Sequence, residues 1–390
     1  MSAERNAAVE AIVAEADRLY RDLSLDAVRR WKDASPGRKA VGYMPVYAPL
    51  ELVHAAGMLP VGIYGGGDQV EIIRGDACFQ SYICHIPRST VELALSGRLD
   101  CLDGMLFPST CDVIRNLSGI WQLQLPGVYV RYLDVPQDYD SAVGGRFYLN
   151  ELRSLAADLG RLSGRAITDL GLRASIHAFN ENRRRVQELY RLRCDSPAKA
   201  PTTEVYLLLR AGCVLPVEEH TAMLDAYLQA ARASDRPEMD NCRVVLRGGF
   251  CEQPPLGLLR TLERAGCDIV DDDFLLVTRW FDEVPEDGDP WEALVEAFLH
   301  KSVATSSRYI GEEEKGAALI DAVRATNAEG VIFAAASFCD PALLDQPMLV
   351  AALDRAGIAH TEFKYAEDTG QFQAIREQAG TFADSIKLWA

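Results

Sequence analysis

One pattern occurs twice in this chain, and it constrains the fold more than any other feature. Asp103-Gly104-Met105-Leu106-Phe107-Pro108-Ser109-Thr110-Cys111-Asp112 is an acidic-Gly turn, a short apolar run, and a cysteine followed directly by a carboxylate. Glu329-Gly330-Val331-Ile332-Phe333-Ala334-Ala335-Ala336-Ser337-Phe338-Cys339-Asp340 repeats that order far downstream. Each short apolar run that follows the turn signal reads as a strand of an α/β sheet. Ligands of open α/β sheets sit at the carboxyl ends of strands. Two strand ends that each present a thiol therefore predict two related halves whose cysteines face a common cleft. Taken singly, each cysteine reads as a small buried hydrophobe. The repeated context separates these two.

The rest of the chain fits that frame. Val9, Ile12, Val13, Ala16, Leu19, Tyr20 and Leu23 recur at helical spacing across residues 2–32, and Ser35-Pro36-Gly37 ends the segment. Strands are predicted at 39–43, 60–64 and 127–132, with helices between; Pro49 opens one helix and Gly57 closes it. Residues 147–234 are helical in spacing almost throughout, broken at Pro197 and Pro201. From Cys242 the α/β rhythm returns, with strands at 243–246, 268–270 and 358–363 and helices at 256–265, 290–299, 311–326 and 371–388. The expected fold class is α/β, with two doubly wound Rossmann-like domains. The expected divisions are an N-terminal helical segment (1–36), a first α/β domain (37–146), a helical connection (147–240) and a second α/β domain (241–390). Gly65-Gly66-Gly67 lacks the spacing of a dinucleotide fingerprint. Arg183-Arg184-Arg185 reads as a solvated helix face and Asp271-Asp272-Asp273 as a solvated loop.

Composition narrows the function. A net charge of -17 argues against nucleic acid and against an anionic membrane surface, though it leaves room for a locally basic pocket that takes a phosphate-bearing ligand. No run approaches the roughly eighteen apolar residues of a membrane span, and the N-terminus lacks a signal-peptide pattern. The cytoplasm is the expected compartment. Ten cysteines there do not make a disulfide framework, and no Cys-x-x-Cys pair marks a zinc ribbon or ferredoxin-type site. Cys84, Cys111 and Cys339 each precede a predicted helix, whose N-terminus favours the thiolate. Cys78, in the same loop as Cys84, competes with it on pattern alone, and Cys251, which also follows a strand, stays open.

A family resemblance bears on these alternatives. Tyr47-Ala48-Pro49-Leu50-Glu51-Leu52-Val53-His54-Ala55-Ala56-Gly57-Met58-Leu59-Pro60 resembles a signature of the 2-hydroxyacyl-CoA dehydratase / benzoyl-CoA reductase family. So do Cys84 with Arg88-Ser89-Thr90-Val91-Glu92-Leu93-Ala94-Leu95, Pro108-Ser109-Thr110-Cys111-Asp112, and Phe338-Cys339-Asp340-Pro341 with Asp345-Gln346-Pro347. The motifs run through nearly the whole chain in the family's order. Chain length and the stretch from Cys78 to Trp121 look most like the smaller cluster-bearing subunit of the ATP-dependent reductases. The resemblance implies a [4Fe–4S] cluster held by Cys84, Cys111 and Cys339, with a fourth iron position that is not a cysteine; Cys78 falls outside the matched pattern. It implies reduction of benzoyl-CoA, or a related aryl-CoA, to a cyclohexadienoyl-CoA with reduced ferredoxin. Its implied partners are a homologous larger cluster subunit and two ATPase activator-type subunits that carry ATP and Mg. No G-x-x-x-x-G-K-[ST] loop occurs in this chain, in keeping with ATP bound elsewhere. Glu51 and His85 are candidate proton-transfer residues; their ordinary roles would be a helix-terminus carboxylate and a structural histidine. The alternatives are a subunit of a 2-hydroxyacyl-CoA dehydratase, a non-catalytic metal-binding scaffold, and a structural zinc protein using the same thiolates.

Overall fold

Two four-stranded sheets form, one in each half of the chain, and every strand pairing in them is parallel. The computed structural model describes residues 2–249, 253–308, 315–366 and 372–389. In the first sheet β1 (Ala40–Tyr43), β2 (Leu59–Gly62), β3 (Gly104–Pro108) and β4 (Tyr129–Leu133) lie in the order β2-β1-β3-β4. In the second, β5 (Cys242–Arg247), β6 (Cys267–Asp272), β7 (Gly330–Ala336) and β8 (Ala359–Tyr365) lie in the order β6-β5-β7-β8. The orders correspond strand for strand. The chain reverses direction across each sheet between β1 and β3, and again between β5 and β7.

The acidic-Gly repeat has the same physical task in both halves. The Asp103 carboxylate accepts the Ala40 N–H (2.8 Å) and Lys32 Nζ (2.7 Å), while the Asp103 N–H donates to the Ala40 carbonyl (2.8 Å). Glu329 accepts the Arg243 N–H (2.8 Å) and pairs with Lys387 (3.2 Å), and its own N–H donates to the Arg243 carbonyl (2.7 Å). Each carboxylate thus pins the start of an inner strand to its neighbour. The glycine that follows lets the adjacent strand approach. A Cβ at Gly104 would meet the Tyr129 ring at 3.0 Å, and one at Gly330 would meet the Ala359 carbonyl at 3.0 Å. β3 and β7, the strands expected from the apolar runs, are buried along their whole length.

The helices are α1 (Ser2–Arg21), α2 (Asp26–Asp33), α3 (Leu50–Ala55), α4 (His85–Leu95), α5 (Asp112–Gln124), α6 (Arg146–Ser163) and α7 (Asp169–Asp195). They continue as α8 (Thr202–Ala211), α9 (Val217–Ala233), α10 (Leu256–Arg264), α11 (Pro290–His300), α12 (Ala317–Ala325), α13 (Asp340–Ala356) and α14 (Phe372–Trp389). α1 packs on α8 and α9, so the N-terminal segment joins the connecting helices. One apolar core runs through both halves; a smaller cluster that includes Val245, Leu319, Val323 and Leu353 lies beside the second sheet. α4 starts at His85, directly after Cys84. Part of the helix expected over 311–326 falls outside the described residues.

Two charge runs differ from the sequence expectation. Arg183 is 3% exposed: it pairs with Glu51 of α3, donates to Asn180 (2.8 Å) and lies over the Phe281 ring. Asp272 is also buried, where it accepts from Arg193 (2.6 Å), Arg279 (2.8 Å) and Tyr190 (2.8 Å). Burial alone would raise its carboxyl; Arg193 and Arg279 outweigh that and hold it below the usual carboxylate range. Neither run is a wholly solvated face or loop. α7 carries both buried arginines, Arg183 toward the first half and Arg193 toward the second.

Candidate functional site

A cysteine stands directly before three helices. Cys84 precedes α4, Cys111 precedes α5, and Cys339 precedes α13. In each case the thiol lies where the first helical N–H groups lack intrahelical acceptors. None of the three thiols accepts a capping hydrogen bond from those groups. Burial pushes the Cys111 thiol up, the nearby backbone amides of Ile114 and Val113 oppose that, and the Asp112 and Asp340 carboxylates add to the rise. Cys84 and Cys339 are buried in the main core cluster, and Cys111 packs against it.

Asp340, the first residue of α13, directly follows Cys339 and lies close enough to Cys111 for its charge to act on that thiol, which puts the starts of α5 and α13 near each other. The loop after β1 closes the same region. Thr110 accepts the Val46 N–H (3.1 Å) and donates its hydroxyl proton to the Pro45 carbonyl (3.0 Å), tying the loop after β1 to the loop after β3. The Tyr47 hydroxyl shares hydrogen bonds with Thr305 (2.6 Å) and Ser307 (2.9 Å), which belong to the β6–β7 crossover. Trp280 and Phe298 pack edge-on against the Tyr47 ring. α4 packs against α5, which brings Cys84 to the same end of the first sheet.

The other described cysteines differ in place. Cys78 ends the short turn Gly75–Cys78 rather than opening a helix, and its thiol donates to the Arg74 carbonyl (3.7 Å). Cys242 and Cys267 pair in register at the amino ends of β5 and β6, away from the strand ends that carry ligands, and burial pushes both up to about 12. None of the nine described cysteines forms a disulfide, and Cys251 lies outside the described residues. Among the described residues, no group of three His, Cys, Asp or Glu side chains is arranged to hold a single metal ion. A mononuclear zinc site is therefore not formed by Cys84, Cys111 and Cys339 as they stand.

The two proton-transfer candidates are placed differently from each other. Glu51 is 1% exposed and ion-paired with Arg183; its second oxygen has no hydrogen-bond partner among the described residues. His85 is the half-buried first residue of α4, next to Cys84. Arg183 was missed by sequence reasoning, although a signal existed. It falls four residues after Phe179 and three before Val186, on the apolar stripe of α7.

Two α/β halves whose strand ends carry cysteines at helix starts define the class. The family model described as 2-hydroxyglutaryl-CoA dehydratase, D-component, matches residues 45–386, and the chain belongs to that family. It is 58% identical over 381 residues to a benzoyl-CoA reductase subunit of Thauera aromatica, an alignment that covers 97% of this chain and 99% of the relative. It is 27% identical to the (R)-phenyllactyl-CoA dehydratase beta subunit of Clostridium sporogenes, over 90% of this chain and 92% of the relative. The beta subunit of (R)-2-hydroxyglutaryl-CoA dehydratase from Acidaminococcus fermentans is 28% identical over 91% of this chain and 94% of its own length.

Proposed function

We propose that this chain is the iron–sulfur subunit of an ATP-dependent benzoyl-CoA reductase, in a complex that reduces benzoyl-CoA to cyclohexa-1,5-diene-1-carbonyl-CoA with reduced ferredoxin. The observation that carries this reading is the 58% identity to a benzoyl-CoA reductase subunit along almost the full length of both chains. Cys84, Cys111 and Cys339 are the proposed ligands of a [4Fe–4S] cluster. The donor chemistry fits: each of the three thiols stands at a helix N-terminus, whose dipole favours the thiolate that a cluster iron takes. A cubane takes each thiolate on a different iron, so a set that does not converge on one ion is compatible with it. When bound, the cluster supplies a one-electron centre.

The chain's own residues hold that centre in place. Thr110 fixes the Cys111 loop, and the dipoles of α4, α5 and α13 favour the deprotonated thiols. Glu51 and His85 remain the candidate proton-transfer residues; for Glu51 that role requires its pair with Arg183 to open. ATP and Mg are assigned to two ATPase activator-type partner subunits, and electrons pass at an interface with a homologous larger cluster subunit. The cytoplasm is the proposed compartment; no described helix is long and apolar enough to cross a membrane.

The test is anaerobic purification with the partner subunits, followed by iron, sulfide and EPR analysis. Wild type is expected to hold the cluster, Cys84→Ser, Cys111→Ser and Cys339→Ser to lose it, and Cys78→Ser to keep it. A reconstituted wild type without cluster overturns the reading. The more distant relatives supply the second reading, a 2-hydroxyacyl-CoA dehydratase subunit. Product analysis decides between them: dihydroarene from benzoyl-CoA, or enoyl-CoA from a 2-hydroxyacyl-CoA.

A further inference from the structure

α13 has an outer face that the rest of the chain leaves uncovered. Its inner face is set by Ala342, Asp345, Ala352 and Leu353, all of them buried. On an ordinary surface helix the opposite side is polar. Here it is not. Leu344, Pro347, Met348 and Ala351 fall on one stripe at spacings of three and four residues, and all four are exposed. Leu344 is 74% and Met348 47% exposed. From Pro341 to Leu353 the single charged residue is Asp345, which is buried and pairs with Lys315 (2.7 Å).

Phe338, in the turn just before α13, is half exposed as well and sits at φ +66, a conformation in which a bulky L side chain is strained. Its exposure and its backbone angle are both unfavourable for a chain standing alone. Three of the eleven large apolar side chains that stay exposed among the described residues therefore lie between Phe338 and Met348. One exposed apolar residue is ordinary; a cluster of them marks an interaction surface.

The two ends of the stripe say what fits it. Asp340 opens it and Arg355 closes it, both exposed, with no charge on the outer face between them. Such a stripe is complementary to one of its own kind laid antiparallel: acid meets base at both ends, and the apolar middles bury each other. A lipid surface fits poorly, because a helix that lies on an anionic membrane is rimmed with Lys and Arg, and this chain carries a net -17.

We propose that the outer stripe of α13 is the surface through which this chain pairs with the homologous larger cluster subunit, which rests on the function proposed above. A subunit built on the same fold presents a helix in the same place, and a two-fold axis across two such helices sets them antiparallel. α13 starts directly after Cys339, so the contact borders the cysteine end of the second half.

Sedimentation of the anaerobically purified chain with the purified larger subunit tests this. Leu344→Glu and Met348→Glu each put a good helix former on the stripe, so each variant alone melts no earlier than wild type. Each nonetheless weakens pairing roughly ten-fold or more, the scale of losing one interface anchor. Leu170→Glu, at a residue 79% exposed on α7, leaves pairing unchanged. Hydrogen–deuterium exchange on wild type adds a measurement that needs no variant: residues 338–351 exchange more slowly once the subunits pair. Unchanged pairing in both stripe variants, an equal loss in Leu170→Glu, or no slowing over 338–351 overturns the proposal. So does a wild type that pairs with its own copies and not with the larger subunit. Iron content and product analysis are read separately. A complex that holds its cluster and reduces benzoyl-CoA but pairs without the stripe loses the stripe alone. One that pairs through the stripe but lacks a cluster, or makes enoyl-CoA, loses the functional reading alone.

Discussion

The β2–β3 and β6–β7 crossovers occupy equivalent places on the two sheets, yet they deliver different residues. In the first half the crossover delivers Cys84 to the start of α4. In the second half it delivers Thr305, Arg308 and Lys315 to a cleft beside α12. The strand that follows is alike in both: a carboxylate-pinned start, a fully buried run, and a cysteine at the next helix. The shared skeleton brings the same strand ends to corresponding places, and the crossovers differ in the residues they bring there. The loops before the two cysteines differ as well. Thr110 clamps the first to the loop after β1, whereas the second carries Phe338, half exposed and at φ +66.

The largest effect should come from the helix that serves both halves. α7 offers Arg183 to Glu51 in the first and Arg193 to Asp272 in the second, each pair buried. Removing Arg183 strands the Glu51 charge away from water, and Arg183→Met should cost roughly 3–5 kcal/mol in urea unfolding. Arg193→Met leaves Asp272 with Arg279 and Tyr190 and should cost less. A larger loss in Arg193→Met would make the second half, not the first, the one that depends on α7.

These arginines also mark where the sequence was legible and where it was not. β3, β7 and their terminal cysteines were readable because apolar runs, turn residues and helix starts are local signals. Arg183 could have been found, since it lies on the apolar stripe of its own helix. Asp272 could not: its partners Arg193 and Arg279 approach from α7 and from the loop after β6, and nothing beside it in sequence announces them. The cleft beside α12 was equally hidden. Its lining residues Arg247, Arg308 and Lys315 are scattered over three segments with no spacing in common, and only the fold brings them together.

The connecting helices give the next effect, through pH. His220 in α9 is 1% exposed; its Nε2 donates to the Leu208 carbonyl (3.0 Å), and its Nδ1 accepts from Asn182 (2.9 Å). That pattern suits the neutral ring, and burial lowers its pKa from 6.5 to about 4. Between those values the unfolded chain binds the proton and the folded chain does not. Stability should therefore be complete above about pH 6.5 and fall as pH drops toward 4, by about 3 kcal/mol from this group. His220→Gln should flatten that part of the unfolding-versus-pH curve. An unchanged slope would assign the acid sensitivity to the halves rather than to the connector.

A smaller effect separates the two cysteine loops. Thr110→Val removes the hydroxyl that serves Val46 and Pro45, leaving buried backbone groups without that partner, and should cost about 1–3 kcal/mol. If the clamp also positions Cys111, the variant's EPR line shape changes while its iron content holds. A stability loss with an unaltered spectrum confines Thr110 to folding.

The smallest expected effect probes the repeat itself. Asp103→Asn and Glu329→Gln each keep an acceptor for the strand-start N–H but remove the charge that Lys32 or Lys387 meets. These side chains are partly solvated, so each loss should be about 1 kcal/mol or less. The two should nonetheless differ. Lys387 also reaches Asp240 (3.0 Å) and keeps a carboxylate when Glu329 is neutralised. Lys32 is left with the Cys101 carbonyl (2.6 Å) and no second anion among the pairs of the described residues. Asp103→Asn should therefore be the costlier change and the more salt-sensitive one. The reverse order would mean that the acidic-Gly turn acts through its backbone hydrogen bonds in the first half and through its ion pair in the second, and the likeness of the two motifs would then be one of shape alone.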